Sequence, residues 1–323
     1  MSTYFVTGAL GCIGAWVVKQ LVERGDTPVV FDLGGDARRI RDVLAADDLA
    51  KVRFVEGDIT DLAAVKSAVA ASEPRALIHL AGLQVPFCRA DPALGARVNV
   101  LGTIHVFEAA LAARVPRVVY ASSAAVFGPS EDDGAAIDES AACEPVTHYG
   151  VYKRANEGTA RVYWLEKELA SVGLRPLTVY GVGRDQGLTS GPTSAMKAAV
   201  LGRPFHIGFS GATDFHYVAD TAAAFVACAD GGPRGALLYN LHGETVDVRD
   251  VVRAIEAECP AVKERLTHGG PKIPIPPELD GGAIRAAYPS LPHTPLAVGV
   301  RATLARFRAL AAEGRLDTRD LPR

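Results

Sequence analysis

The chain has 323 residues, 49% hydrophobic and 22% charged, with 32 glycines and a net charge of −3. This length suits one large or two small domains with a sizeable core, and the interspersed charges form no basic patch of the kind nucleic acid or an anionic membrane requires. A strand begins almost at the N-terminus, without a signal peptide, and no apolar run is long enough to span a bilayer, so a cytoplasmic setting is expected.

In chain order, strands are predicted at Phe5–Thr7, Val29–Phe31, Val52–Val55, Ala76–Leu80, Val118–Ala121 and Leu174–Val179, with one more at Ala236–Leu241. Helical patterns fall between them at about 12–24, 36–48, 61–71, 92–114 and 147–171, and a closing helix runs from about Leu296 to Glu313. Alternation of continuous apolar strands with helices implies an α/β class: a doubly wound parallel sheet covered on both faces. The second half is broken by Gly181, Gly183, Gly191-Pro192, Gly202 and Pro204, and by the proline-dense stretch Pro271, Pro274, Pro276, Pro277, which reads as a loop or linker without function. Residues 1–180 with about 214–243 are expected to form a dinucleotide-binding domain. About 181–213 with 244–323 are expected to form a smaller, partly interleaved substrate domain. Cys12, Cys88, Cys143, Cys228 and Cys259 are scattered and odd in number, against a disulfide framework or a structural zinc site, and no metal is expected.

The first strand leads into Gly8, Gly11 and Gly14, spaced by three, and then an amphipathic helix. Such glycines allow the turn, the approach of backbone to a pyrophosphate and the packing of helix on strand. The diphosphate would sit on free N–H groups at the positive end of the helix dipole. Asp32 ends the second strand 18 residues beyond Gly14. A carboxylate there accepts bonds from the adenosine ribose hydroxyls and repels a 2′-phosphate, which favours NAD over NADP. Arg38 and Arg39 follow and read as solvated helix charges, with NADP still open. Cys12 within the turn reads as a small packing residue.

Tyr149 and Lys153 lie four apart in a helical stretch, on one face and one turn apart. Ser123 ends the Val118–Ala121 strand segment, at the carboxyl edge where doubly wound sheets bind ligands. Oxidising an alcohol by hydride transfer needs a base for the hydroxyl proton. A phenol, with an ordinary pKa of about 10, becomes that base when a lysine ammonium and a cationic nicotinamide favour phenolate, while a serine orients the substrate oxygen.

These features occur within a series: Thr7 to Gly14, Gly57-Asp58-Ile59-Thr60-Asp61, His79-Leu80-Ala81-Gly82, Asn99-Val100-Leu101-Gly102-Thr103, Ser122 to Gly128, Tyr149-Gly150-Val151-Tyr152-Lys153 and Phe215-His216-Tyr217-Val218-Ala219-Asp220. In this the chain resembles the extended short-chain dehydrogenase/reductases, the NAD-dependent epimerase/dehydratase family. The resemblance implies Ser123, Tyr149 and Lys153 as catalytic residues. It implies cofactor contacts from Gly8, Leu10, Gly11, Cys12, Ile13 and Gly14, then Asp32, Leu33, Asp58 and Ile59, and then Leu80, Ala81, Gly82 and Asn99. The alternative for Asp58 and Asn99 is a role as turn and helix-capping residues. Gln84, Ala125, Thr178 and Arg184 are candidate substrate contacts. His148 and His216 stay outside the site, and Ser210 lacks the setting of a hydrolase nucleophile.

Departures from the family are informative. Ala124 and Ala125 stand where its dehydratases carry an acid pair, which disfavours dehydration. Thr178 stands where nucleotide-sugar enzymes often have asparagine, and Thr213 where they often have an arginine that clamps diphosphate. Each lost charge-assisted bond is worth about 1.5–3 kcal/mol; Arg184, Lys197 or Arg203 could substitute. The expected activity is NAD-dependent oxidation of a secondary alcohol of a sugar-type substrate through a ketone, as in a sugar or nucleotide-sugar epimerase. The alternatives are an NAD-dependent dehydrogenase of a nucleotide-free sugar, sugar acid or polyol, and a non-catalytic NAD(P) sensor. A homodimer through the two long helices is expected, with Val106, Val151 and Val162 as candidate contacts.

Overall fold

Seven parallel strands form the centre of the computed structural model, which describes residues 1–129 and 136–322. In chain order the strands are β1 (Thr3–Thr7), β2 (Thr27–Asp32), β3 (Arg53–Glu56), β4 (Ala76–His79), β5 (Arg117–Ala121), β6 (Ala170–Arg175), β7 (Thr178–Tyr180), β8 (Phe205–Ile207), β9 (Ala212–Tyr217), β10 (Ala236–Asn240), β11 (Glu244–Asp247) and β12 (Leu266–His268). The helices are α1 (Cys12–Glu23), α2 (Arg38–Val43), α3 (Leu62–Ser72), α4 (Val85–Ala90), α5 (Pro92–Ala96), α6 (Gly102–Ala112), α7 (His148–Lys167), α8 (Gly191–Val200), α9 (Val218–Asp230), α10 (Val248–Glu258), α11 (Gly282–Ala287) and α12 (Leu296–Ala312). The main sheet runs β10-β6-β5-β4-β1-β2-β3. Strand order reverses between β1 and β4, which opens a crevice at their carboxyl ends. Val17 and Leu21 of α1 and Phe225 of α9 pack on one face; Val69 of α3, Phe107 of α6 and Ala160 of α7 pack on the other. The sheet is doubly wound, as the sequence pattern implies.

Beside it lies a smaller sheet, β11-β9-β7, and the pair β12-β8. Their apolar cluster joins Tyr180 and Phe215 to Met196 of α8, Ile255 of α10 and Phe307 of α12. No helix among the described residues is long and apolar enough to cross a membrane.

Several predicted elements are redrawn. The single strand expected at Leu174–Val179 is two strands in two sheets, because Pro176 has no N–H to offer a ladder. The helix expected to reach 171 stops at Lys167, where Glu168 turns left-handed at φ 53°, and its last residues belong to β6. The 92–114 helix is interrupted by a π-helical turn, Arg97–Leu101. The 36–48 helix is α2 followed by a 3₁₀ turn, Ala46–Lys51. Val106, expected at a dimer interface, is wholly buried in the core under α6.

Helix α7 is fixed to the sheet by one buried carboxylate. Arg175, at the end of β6, donates to Glu157 Oε1 from Nε at 2.7 Å and to Oε2 from Nη2 at 2.8 Å, and Ser122 Oγ donates to Oε1 at 2.6 Å. Both charged side chains are buried. Glu157 Oε2 also accepts from the half-exposed Arg154 Nη1 at 3.1 Å, so removing Arg175 leaves the buried carboxylate with that partner and Ser122 alone, at a cost toward the lower end of the about 3–5 kcal/mol of a broken buried pair. Arg175→Met is therefore expected to lower unfolding stability by about that amount in urea titration. The double variant Arg175→Met/Glu157→Leu is expected to recover most of it.

Candidate functional site

A cavity of about 810 Å³ opens at the carboxyl ends of β1, β2, β4 and β5, with one wall built by the glycine turn. Gly8 has φ +67°, and a Cβ there would lie 2.4 Å from Ala81 N. A Cβ on Gly14 would lie 2.5 Å from Gly8 O and from Ala9 Cα, so the third glycine packs α1 against the turn itself. Gly11 is the N-cap of α1 and provides no side-chain cap. The first amides of α1 therefore remain open to an anion. Leu10, Cys12 and Ile13 line the same wall. Burial pushes the Cys12 thiol up to about 12.

Asp32 ends β2 and also lines the cavity. Its Oδ2 accepts from Leu10 N at 3.0 Å and its Oδ1 from Leu33 N at 2.9 Å. Each oxygen retains lone pairs. Leu33, Asp58, Ile59, Leu80, Ala81 and Gly82 continue the wall. Asp58 serves as a turn residue as well, its Oδ1 accepting from Thr60 N at 2.8 Å. An uncapped helix start, a glycine cradle and a ribose-level carboxylate around one cavity fit a dinucleotide.

Asn99 does not reach the cavity. It is buried in the π-helical turn, where Oδ1 accepts from Leu83 N at 2.7 Å and Nδ2 donates to Leu83 O at 2.9 Å. It shapes the wall from behind. Arg38 and Arg39 are not solvated charges: they pair with Asp185 at 3.0 and 2.7 Å, and Arg39 also donates to Leu10 O at 2.9 Å. Their guanidinium groups tie the glycine turn to the loop after β7.

Ser123, Tyr149 and Lys153 line the cavity together. Thr147 caps α7 by accepting from Gly150 N at 3.0 Å. A Cβ at Gly150 would lie 2.4 Å from Ala125 O. This approach, which the sequence reading did not single out, brings Tyr149 within hydrogen-bonding reach of Ser123. Lys153 follows one turn later, with Nζ 5.5 Å from the Tyr149 ring centroid and donating to Ala121 O at 2.7 Å. Burial lowers the Lys153 ammonium to about 8. Burial also raises the Tyr149 phenol, opposed by its hydrogen bond with Ser123 and by the charge of Arg184. The depression expected from the lysine neighbour is not seen: the groups that lower the phenol are Ser123 and Arg184, and desolvation outweighs both.

Of the candidate substrate residues, Gln84, Ala125 and Arg184 line the cavity. Thr178 does not. It is buried in β7, and its hydroxyl bonds Thr213 Oγ1 at 3.0 Å. The two positions where the sequence departs from nucleotide-sugar enzymes close on each other. Lys197 is buried against Asp320 at 2.6 Å, and Arg203 is exposed outside the cavity. Ile273, Pro274 and Ile275 of the proline-dense stretch line the cavity, contrary to their reading as a linker without function. They join Val146, Leu177, Val179 and Leu188 in an apolar far wall. The isoleucines between prolines were the only local sign. His148 is exposed and faces the Tyr152 ring at 6.1 Å, while Ser210 Oγ donates to Gly270 O at 2.8 Å away from the cavity. Among the described residues no group of His, Cys, Asp and Glu could hold a metal ion.

The profile of the NAD dependent epimerase/dehydratase family matches residues 4–241. The chain is 30% identical over 324 residues to a UDP-glucose 4-epimerase of Mycolicibacterium smegmatis, covering 94% of this chain and 97% of that one. It is 33% identical over 240 residues to a 3-diazoavenalumate denitrifying reductase of a Streptomyces species, covering 72% of this chain and 73% of that one. The solved UDP-glucose 4-epimerase of Thermus thermophilus in complex with NAD superposes with a TM-score of 0.80 at 26% identity, covering 95% of this chain and 99% of that one. The chain belongs to the NAD dependent epimerase/dehydratase family, within the extended short-chain dehydrogenase/reductases, and is an NAD-dependent enzyme.

Proposed function

We propose that this enzyme oxidises a secondary carbinol of a sugar-type substrate to a ketone and returns the hydride to the other face, as a sugar or nucleotide-sugar epimerase. The observation that carries the reading is the convergence of Ser123, Tyr149 and Lys153 on the cavity that the glycine turn also lines. The epimerase names of the relatives support it. Bound NAD supplies the acceptance and return of hydride. The phenolate of Tyr149 takes the hydroxyl proton from the substrate and later gives it back. Ser123 orients the substrate oxygen and stabilises charge on it. Lys153 stands ready to bond the cofactor ribose and holds positive charge beside the phenol. Gly8, Leu10, Gly11, Cys12, Ile13 and Gly14 would hold the diphosphate, Asp32 the adenosine ribose, and Leu33, Asp58 and Ile59 the adenine side. The domain division at about 180, 214 and 243 belongs to the same reading, with the second part closing the substrate half.

A second reading, an NAD-dependent dehydrogenase of a nucleotide-free sugar, sugar acid or polyol, is favoured by one observation: the Thr178–Thr213 pair leaves no diphosphate clamp at those positions. The sensor reading is disfavoured by the intact Tyr149–Lys153 pair. Ala124 and Ala125 in place of an acid pair speak against dehydration. A cytoplasmic location is supported by five cysteines that are all free.

We further propose a homodimer through α7. Val151, Val162 and Leu165 lie along one side of that helix and are 48%, 49% and 67% exposed. A stripe of this kind on a long helix needs a cover. Sedimentation equilibrium is expected to show a dimer, and Leu165→Arg to shift it toward monomer.

Tyr149→Phe is expected to lower turnover by about 10²–10⁴-fold while retaining NAD. Sugar interconversion without net NADH separates epimerase from dehydrogenase. Lys153 gives a pH test on the cofactor-free protein. Its folded pKa of about 8 lies below the ordinary 10.5. Between those values the unfolded chain binds a proton that the native state has lost, so the contribution of this lysine to stability rises with pH. Urea stability of the parent relative to Lys153→Met is expected to improve between about pH 8 and pH 10. A constant difference would contradict burial as the cause.

A further inference from the structure

Four cations line the cavity: Arg39, Arg97, Lys153 and Arg184. Arg39 is paired with Asp185, Lys153 is bonded to Ala121 O, and Arg97 is exposed on its helical turn. Arg184 is in a different condition. Its Nη2 donates to Thr189 Oγ1 at 3.0 Å, and its Nε is buried without a hydrogen-bond partner. Among the described residues no carboxylate pairs with it. It stands near enough to Tyr149 for its charge to act on the phenol.

The surroundings state what this guanidinium lacks. A buried donor without an acceptor, on a cation without a counter-ion, is matched by an oxyanion brought in from outside. The planar fork of arginine fits carboxylate and phosphate alike. The apolar lining residues Leu177, Val179, Leu188, Ile273 and Ile275 of the same cavity offer no competing charge. Thr178 and Thr213 are bonded to each other and are not available for a diphosphate. The loop that bears Arg184 is also braced. Its neighbour Asp185 is held by Arg38 and Arg39, and Arg39 grips Leu10 O of the glycine turn. The guanidinium therefore projects from a fixed base between the cofactor wall and the reacting tyrosine.

We infer that Arg184 is the anchor for the anionic group of the substrate and determines specificity in this site. The inference rests on the reading above, that Tyr149 and Ser123 act on a substrate carbinol in this cavity. The shared chemistry is an oxyanion within reach of the carbinol. It comes either from the diphosphate of a nucleotide sugar or from the carboxylate of a nucleotide-free sugar acid.

The test is isothermal titration calorimetry of the NAD-loaded protein with UDP and, separately, with glucuronate. The parent is expected to bind one of them, Arg184→Gln to bind it about 10–100-fold more weakly, and Arg184→Lys to recover part of the loss. NAD affinity is expected to stay within about twofold in both variants. Loss confined to UDP assigns the diphosphate, and loss confined to glucuronate assigns the carboxylate. Equal affinity in parent and Arg184→Gln, binding of neither probe by the parent, or a parallel loss of NAD would each overturn the assignment. Tyr149→Phe is expected to bind the probe like the parent. Turnover that survives Tyr149→Phe, together with anion binding that fails in Arg184→Gln, would leave the anchor standing and remove the acid–base reading alone.

Discussion

The carboxylate of Glu157 is the constraint on which the site depends. It sits inside the protein, on the inner face of α7, with two bonds from Arg175 at the end of β6 and one from Ser122 beyond β5. Buried ion pairs are poor evidence for net stability, because desolvation takes back much of what attraction provides. What this one supplies is register. Ser122 is the chain neighbour of Ser123, and Glu157 lies one turn beyond Lys153 on the helix that carries Tyr149. A slip of α7 along its axis would break three bonds to a buried charge, so the helix has one seating. Gly150 completes that seating from the other end, where its missing side chain admits Ala125 O. The geometry of the reacting groups is thus set by residues that do not touch a ligand.

Burial also fixes the resting charge of the site. It lowers Lys153 and raises Tyr149, so desolvation drives both toward their neutral forms. Nearby positive charge opposes the rise and favours the phenolate. The groups of this chain that already oppose the rise are the Ser123 hydroxyl and Arg184.

The sequence was legible where function depends on neighbours in the chain. The glycine turn, Asp32 at the end of β2 and the Tyr149–Lys153 pair are short-range patterns, and the fold places all of them on the cavity. Strand and helix alternation likewise points to the sheet. Legibility fails where long-range contacts decide. Nothing local in Arg38-Arg39 announces Asp185, about 146 positions away. Nothing near Thr178 announces Thr213. The segment at Ile273–Ile275 carries loop chemistry in sequence and wall chemistry in space. Asn99, a cofactor contact implied by the family resemblance, has its amide bonded to Leu83 and Cys88 behind the wall. Element boundaries failed at Pro176, which splits the expected strand, and at Glu168, where a left-handed residue ends α7 against the apolar pattern.

These successes and failures divide along the cavity itself. The cofactor side is assembled from contiguous stretches after β1, β2, β3 and β4, each tied to a strand end, so a change there disturbs the sheet. The far side is assembled from Val146, Leu177, Val179, the loop at 184–189 and Ile273–Ile275, which come from separate loops and strand ends. Replacing one of them alters the shape or charge offered to the substrate and leaves the dinucleotide wall as it was. The threonine pair and the guanidinium of Arg184 are features of that kind: both lie beyond the motif-bearing strands. A family resemblance carried by the cofactor half therefore says little about the far wall, and the substrate has to be read from Arg184 and the apolar surface that faces it.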